Sequence, residues 1–138
     1  MAAYNKFNAF AENLPEKVHN LGSDTLTVAL TNTAPSAANS ILTDLTEIAY
    51  TYCSARDITI SSSAQTSGTY KLILTDLTLT ASGGDVGPFR YVVIYNNTPT
   101  SPADPLICWF DYGSSITLAT GESIKIGFDG TDGLFTLA

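Results

Sequence analysis

From residue 24 onward, the apolar side chains of this chain recur at every second position, which is the spacing of β-strands. In the stretch 25–31, Leu26, Val28 and Leu30 share one face, and the other face is mostly threonine. This pattern predicts a strand with one buried face and one solvent face. Shorter alternations follow at residues 58–60, 116–118 and 124–128. Because no helical period is found after residue 22, the chain is predicted to be all-β.

Two longer runs, 89–95 and 106–110, are apolar on both faces. We predict that they form central strands, or strands whose second face is covered by a partner. Turns rich in Gly, Pro, Asn and Asp separate about eight or nine strands in all. A chain of 138 residues has the size of one domain. The predicted fold is an antiparallel β-sandwich that is jelly-roll-like.

The phase of the alternation changes in the middle of the chain. Leu72 and Leu74 have one parity, whereas Leu77 and Leu79 have the other. A regular strand would place one of these pairs in solvent. We therefore predict a bulge or bend at residues 75–76, as in strands that cross from one sheet of a sandwich to the other.

Two turn sequences lie near the C-terminus. Residues 116–118 and 124–128 flank a turn at Thr120 and Gly121, which predicts a hairpin. Residues 129–133, Asp-Gly-Thr-Asp-Gly, are either a tight turn or a calcium loop. The loop lacks the downstream bidentate glutamate of an EF-hand, and this favours the turn.

The first 22 residues have a different period from the rest of the chain. Tyr4, Phe7, Phe10 and Leu14 recur at intervals of three or four, which predicts a short helix over about residues 4–13. Such a helix is too short to be stable alone. We therefore divide the chain into an N-terminal arm or short helix, 1–22, and a β-sandwich domain, 23–138. These four side chains are predicted to dock outside their own sandwich, on a sister subunit or another protein; the alternative is that they close one end of it.

The charge distribution excludes two classes of partner. The chain has 13 acidic and 6 basic residues, a net charge of −7, and no two basic residues are adjacent. Nucleic-acid binding and binding to anionic membranes both need clustered Lys and Arg, so we predict neither. The N-terminus also lacks the pattern of a secretory signal, and no apolar run is long enough for a membrane helix.

Residues that carry chemistry are scarce. His19 is the only histidine, which argues against a histidine-based metal site and against a Ser-His-Asp triad. It is predicted to cap or pack at the end of the arm. The two cysteines, Cys53 and Cys108, lie in apolar runs and are predicted to be buried, reduced thiols. We predict no cofactor, no metal and no enzymatic activity.

Several aromatic residues suggest a sugar-binding platform as an alternative. They are Tyr50, Tyr52, Tyr91, Tyr95, Trp109 and Tyr112. Carbohydrate modules stack sugar rings on such side chains. Because Tyr91, Tyr95 and Trp109 lie in the most apolar strands, packing in a core or an interface is favoured for them.

Five phrases of the sequence resemble small virion proteins of tailed bacteriophages. They are HNLGSDTLTVALTNTAP (19–35), DLTEI (44–48), SAQTSGTY (63–70), GPFRY (87–91) and WFDYG (109–113). The resemblance covers most of the chain and carries no catalytic motif. Size, β-fold and arm are most similar to the capsid cement (decoration) proteins of short-tailed phages.

This resemblance implies a structural role on the outer surface of a capsid. Its implied partners are the major capsid protein and further copies of the same chain, as a dimer or trimer. Such a protein clamps neighbouring capsid subunits and stabilises the DNA-filled head after synthesis in the bacterial cytoplasm. The alternative is an exposed carbohydrate-binding or host-adhesion module in a head fibre or tail.

Overall fold

The computed structural model describes residues 2–138, which form ten β-strands, one α-helix and one 3-10 turn. The strands are β1 (Asn5–Lys6), β2 (Leu26–Thr31), β3 (Asp57–Ile58), β4 (Ile60–Thr66), β5 (Thr69–Leu74), β6 (Leu77–Thr80), β7 (Val86–Asn96), β8 (Leu106–Leu118), β9 (Ser123–Ile126) and β10 (Phe135–Leu137). The helix α1 spans Asn8–Asn13, and the 3-10 turn spans Leu42–Asp44. The predicted all-β class is confirmed. The strand count exceeds eight or nine because β1, with two residues, is too short to produce a periodic signal, and because the alternation at 58–60 is divided between β3 and β4.

The first layer is a five-stranded antiparallel sheet in the order β1-β8-β7-β2-β3. Its two longest strands, β7 and β8, lie side by side in the interior of this order. The prediction that residues 89–95 and 106–110 belong to central strands is therefore confirmed. Their apolar character on both sides fits a sheet that is covered on both faces.

The second layer contains the sheet β10-β5-β4 and the pair β6-β9. Strand β5 ends at Leu74 and β6 begins at Leu77, so the interruption falls on residues 75–76. There the chain changes partners, because β5 pairs with β4 and β10 whereas β6 pairs with β9. Leu72 and Leu79 are both fully buried despite their opposite parity. The predicted bend is confirmed.

The main hydrophobic core lies between the two layers. Val28, Leu30 and Ile94 of the first sheet pack in one cluster with Leu72 and Leu79 of the second layer. Two antiparallel layers joined through one core form a β-sandwich. The jelly-roll connectivity stays a prediction.

A second, smaller core covers the outer face of the first sheet. Ala29, Val93, Tyr95 and Leu106 are buried there together with Phe7. The 3-10 turn and the residue after it add Leu42 and Leu45 to the same cluster. The first sheet is thus enclosed by the second layer on one side and by chain segments outside the strands on the other.

This second core corrects the expectation for β2. All six residues of β2 are buried, so the predicted solvent face of threonines was wrong. The Thr27 hydroxyl instead donates a hydrogen bond to Asp57 Oδ1 (2.8 Å). The Thr31 hydroxyl accepts the backbone N–H of Thr33 (3.0 Å). Threonine tolerates burial at these positions because each hydroxyl has a partner.

The predicted hairpin between residues 116–118 and 124–128 was also wrong. The turn itself forms, with the N–H of Glu122 bonded to the carbonyl oxygen of Ala119 (2.8 Å) and Gly121 at φ 87. However, Ile116 of β8 pairs with Phe89 of β7, and β9 pairs with β6. The turn therefore carries the chain from one layer to the other.

Candidate binding site

The N-terminal segment, defined here as the described residues 2–22 of the predicted arm, forms part of the sandwich. Asn5 and Lys6 pair with Trp109 and Cys108 at the outer edge of β8. The N–H of Phe7 continues this pairing to the carbonyl oxygen of Ile107 (3.2 Å). The helix is consequently shorter than predicted, because residues 4–7 are extended along β8 before α1 begins.

The four residues predicted to dock elsewhere lie against the chain's own core. Phe7 is fully buried on the outer face of the first sheet, with its ring 4.6 Å from that of Trp109. Phe10 is 3% exposed and packs against Phe135. Tyr4 and Leu14 pack on the main core. The expectation of docking outside the sandwich is corrected, because the first layer offers this stripe an open edge within the same chain.

An open cleft lies at the edge of the sandwich, between β8 and β9. This aromatic cleft has a volume of about 680 Å³. Its apolar lining is formed by Tyr4, Val92, Phe110, Tyr112, Ile124, Ile126, Phe128 and Leu134. The lining comes from the N-terminal segment, from β7, β8 and β9, and from the loop before β10. The cleft thus exists only in the complete fold.

Tyr112 is the most exposed aromatic side chain of the cleft, at 58%. It lies where β8 bulges away from β7, since Asp111 pairs with Tyr91 but the next paired residue of β8 is Ile116. Arg90 holds the base of this bulge through two bonds to the Asp111 carboxylate (2.8 and 3.0 Å). The bond from Arg90 is also the main reason why the pKa of Asp111 is lowered. An anchored bulge presents Tyr112 at a fixed position.

The charged groups of the cleft are held in structural contacts. Lys125 lies 3.4 Å from the Asp76 carboxylate. Asp129 Oδ1 accepts the backbone N–H groups of Asp132 and Thr131, and these bonds lower the pKa of Asp129. Burial raises the pKa of Tyr4 above its usual range, so its hydroxyl stays protonated at neutral pH. The cleft therefore suits binding of an apolar or aromatic group better than acid–base chemistry.

The same contacts bear on the calcium alternative. Residues 129–133 form a turn in which the Asp129 carboxylate is occupied by backbone N–H groups, and Gly133 adopts φ 81. Within residues 2–138, no group of three or more His, Cys, Asp or Glu side chains is arranged to hold a metal ion. The turn interpretation accounts for these contacts.

The six aromatic residues proposed as a sugar platform do not share one surface. Tyr95 is buried, and Trp109 packs with it in the second core. The Tyr50 hydroxyl accepts the N–H of Leu30 (2.8 Å) at the edge of β2, and the Arg56 guanidinium lies over its ring. Tyr52 is exposed but packs against Gly84, and only Tyr112 lines the aromatic cleft. The predicted platform is therefore not formed by these six residues.

A second pocket, of about 610 Å³, lies beside the end of the N-terminal segment. His19, Asp24, Tyr70, Thr98 and Lys17 are among its lining residues. The sequence predicted that His19 packs at the end of the arm, and it is indeed buried there, at 6% exposure. The sequence could not indicate its hydrogen bond to Asn96, because the two residues are 77 positions apart.

The two cysteines are free thiols that lie apart in the fold. Cys108 is buried in β8, and burial raises its pKa well above the usual value. Cys53 is half-buried beside Ala81, and burial raises its pKa as well. A raised pKa reduces the fraction of reactive thiolate, so neither side chain has the features of a nucleophile.

The candidate binding site is thus an apolar cleft with one projecting tyrosine. Residues 2–138 include no helix with the length and hydropathy required to cross a membrane. No family model, curated protein or solved structure matches the chain.

Proposed function

We propose that this chain is a structural protein of a tailed-phage particle, a capsid decoration protein that binds the major capsid protein on the outer surface of the head. The observation that carries the proposal is the aromatic cleft, which offers an apolar binding surface and no converging acid and base. The choice of partner comes from the sequence phrases at 19–35, 63–70 and 109–113, which resemble phage virion proteins.

The composition suits a protein that buries area on a lattice. Only 14% of the residues are charged, against about 25% in a typical domain. A weakly charged surface is less costly to desolvate than a charged one, and a stable protein interface buries about 1,200–2,000 Å². The net charge of −7 keeps the free protein soluble before it assembles.

The structure also limits the number of free β-strand edges. The outer edge of β2 is covered by residues 47–56, where the N–H of Ile48 bonds to the Leu30 carbonyl oxygen (3.0 Å) and the Val28 N–H bonds to the Arg56 carbonyl oxygen (3.0 Å). Covered edges prevent uncontrolled pairing of copies at high local concentration. The aromatic cleft is on the opposite side of the sheet order, next to β8, and is the side we assign to the capsid.

The test begins with purified particles of the phage that encodes the chain. We expect the protein at a fixed stoichiometry by mass spectrometry, and density of its size on the outer shell between capsid subunits by cryo-electron microscopy. Its absence from the particles would overturn the proposal. Density only on a tail or head fibre would also overturn it and support the adhesion alternative.

A pair of tyrosine variants tests the contact surface. Tyr112→Ser removes the projecting aromatic side chain of the cleft, and we expect it to weaken binding to undecorated capsids by at least about tenfold, as for an aromatic anchor. Tyr52→Ser is the matched control, because Tyr52 is 45% exposed and lies outside the cleft. Equal binding by the two variants would show that the cleft is not the contact.

A further inference from the structure

His19 has an unusual hydrogen-bonding arrangement for a buried histidine. Its Nδ1 lies 3.0 Å from Nδ2 of Asn96. The orientation of the Asn96 amide is defined by the backbone, because its Oδ1 accepts the N–H of Thr98 (3.1 Å). The Asn96 amide nitrogen is therefore the donor, and Nδ1 of His19 is the acceptor. The neutral ring must carry its proton on Nε2.

The surroundings of His19 favour this neutral form. Nε2 is buried and has no hydrogen-bond partner among residues 2–138. Helix α1 presents the ring of Phe10, whose centroid is 5.2 Å from that of His19. Asp24 is the nearby acidic group, and its Oδ2 already accepts Asn96 Nδ2 (2.6 Å) and the N–H of Asn20 (2.8 Å).

The other charged or titratable groups are on the turn and on β5. Lys17 and Tyr70 line the same pocket as His19, and β10 contributes Leu137 to it. The charged group whose attraction favours a positive charge on His19 is Asp24. Burial outweighs the attraction of Asp24 and lowers the pKa of His19 to about 4.

We propose that His19 is a pH-sensitive latch that holds the N-terminal segment against the sandwich and releases it on protonation. Protonation places a second N–H on Nδ1, directly facing the donating amide of Asn96. Two donors cannot share this contact, so the imidazolium must leave its site or break the bond. The two layers stay in contact through the core residues of the strands, while Phe10 and Leu21 of the segment leave the main core.

Few backbone bonds attach the segment to the sandwich, so its attachment depends on its buried side chains, among them Phe7, Phe10 and His19. Asn5, Lys6 and Phe7 pair with β8, and the N–H of Asn8 bonds to the Ala37 carbonyl oxygen (2.9 Å). Peripheral elements with few such bonds open at lower free energy than central strands. Release uncovers the outer edge of β8 and the face of Trp109 that Phe7 covers.

The expected size of the effect follows from the pKa of His19. When released, the side chain returns to its ordinary pKa of 6.5. Linkage then makes opening about 30-fold more favourable at about pH 5 than at about pH 7.5. The sign is fixed, because the open state binds the proton more tightly.

Hydrogen exchange of the full chain tests the latch. We expect the protection factors of the Phe7 and Leu14 amides to fall about 30-fold between about pH 7.5 and about pH 5, while those of β7 amides such as Ile94 change much less.

Two variants define the outcomes. His19→Asn keeps an acceptor near the position of Nδ1 but does not titrate, so its segment protection should not depend on pH. Phe7→Leu weakens packing at every pH in the second core, away from His19, and should keep the wild-type pH dependence. The proposal is overturned if segment and β7 protection fall together, if neither falls, or if His19→Asn retains the wild-type response.

Discussion

Replacing Phe7 or Phe10 by alanine tests whether the N-terminal segment belongs to its own sandwich. Phe7 is 0% exposed and Phe10 is 3% exposed. Each substitution therefore removes an aromatic ring from a packed hydrophobic cluster. Truncation of a buried phenylalanine typically costs about 3–5 kcal/mol, including the cavity that remains. The total stability of a domain is about 5–15 kcal/mol, so each variant should lose about a fifth of it or more.

The assay is urea denaturation followed by circular dichroism, at several protein concentrations. We expect each variant to lower the midpoint strongly and to lower the melting temperature by about 10–15 °C. Because the contacts are within one chain, the midpoint should be the same over about a 100-fold range of concentration. Tyr112→Ala is the control: its side chain is mostly exposed, so its stability should change by less than about 0.5 kcal/mol.

Two results would refute this reasoning. A loss of less than about 1 kcal/mol in both phenylalanine variants would mean that their rings are not in the core of the folded chain. A wild-type midpoint that rises with protein concentration, with the rise lost in both phenylalanine variants, would mean that the segment is supplied by another copy. In either case the original expectation of an intermolecular arm would be restored.

Three further outcomes follow from single positions. Lowering the pH from about 7.5 to about 5 should reduce the free energy of unfolding by about 2 kcal/mol, because His19 is protonated at about pH 5 in the unfolded chain but stays neutral in the folded one. Urea denaturation measures this loss, which should be absent in His19→Asn. Gly133→Ala should lower the free energy of unfolding by about 1–3 kcal/mol, measured by thermal denaturation, because residue 133 has positive φ and a Cβ there would lie 2.6 Å from the Leu72 carbonyl oxygen. The control is Gly130→Ala in the same loop, where a Cβ meets nothing within 4 Å and the stability should not change. Alkylation of the folded protein should label Cys53 before Cys108, as mass spectrometry of peptides can show, since Cys108 is the more deeply buried thiol; equal labelling would contradict this.

Features that depend on local periodicity were predictable from the sequence. The alternation of Leu26, Val28 and Leu30 placed β2 correctly, and the parity change located the break at residues 75–76. Both the position of β2 and the break at residues 75–76 depend on side chains only a few positions apart in the sequence. A strand that faces two cores is different, because the cover on the second face of β2 comes from residues outside the strand, Phe7 before it and Leu42 and Leu45 after it.

Features that depend on the choice of partner were not predictable. The turn at Gly121 is encoded locally, but the pairing of β8 with β7 and of β9 with β6 is decided by the whole sandwich. The apolar stripe of the N-terminal segment has the same pattern whether it docks within the chain or on a neighbour. The aromatic cleft draws Tyr4, Phe110 and Phe128 from opposite ends of the sequence, so no single motif could indicate it.

The N-terminal segment connects the cleft to the latch. Tyr4 forms one wall of the aromatic cleft, and the same segment ends near His19, which is bonded to Asn96 at the end of β7. Release of the segment would remove Tyr4 from the cleft, so protonation of His19 would reduce the fraction of molecules that have a complete cleft. If the cleft is the capsid contact, acidification to about pH 5 weakens capsid binding of the wild type only by the fraction of molecules whose segment has opened, and His19→Asn resists this loss. A binding loss of equal size in both proteins would separate the two proposals, because it would place the pH dependence in the capsid or in the carboxylates rather than in the latch.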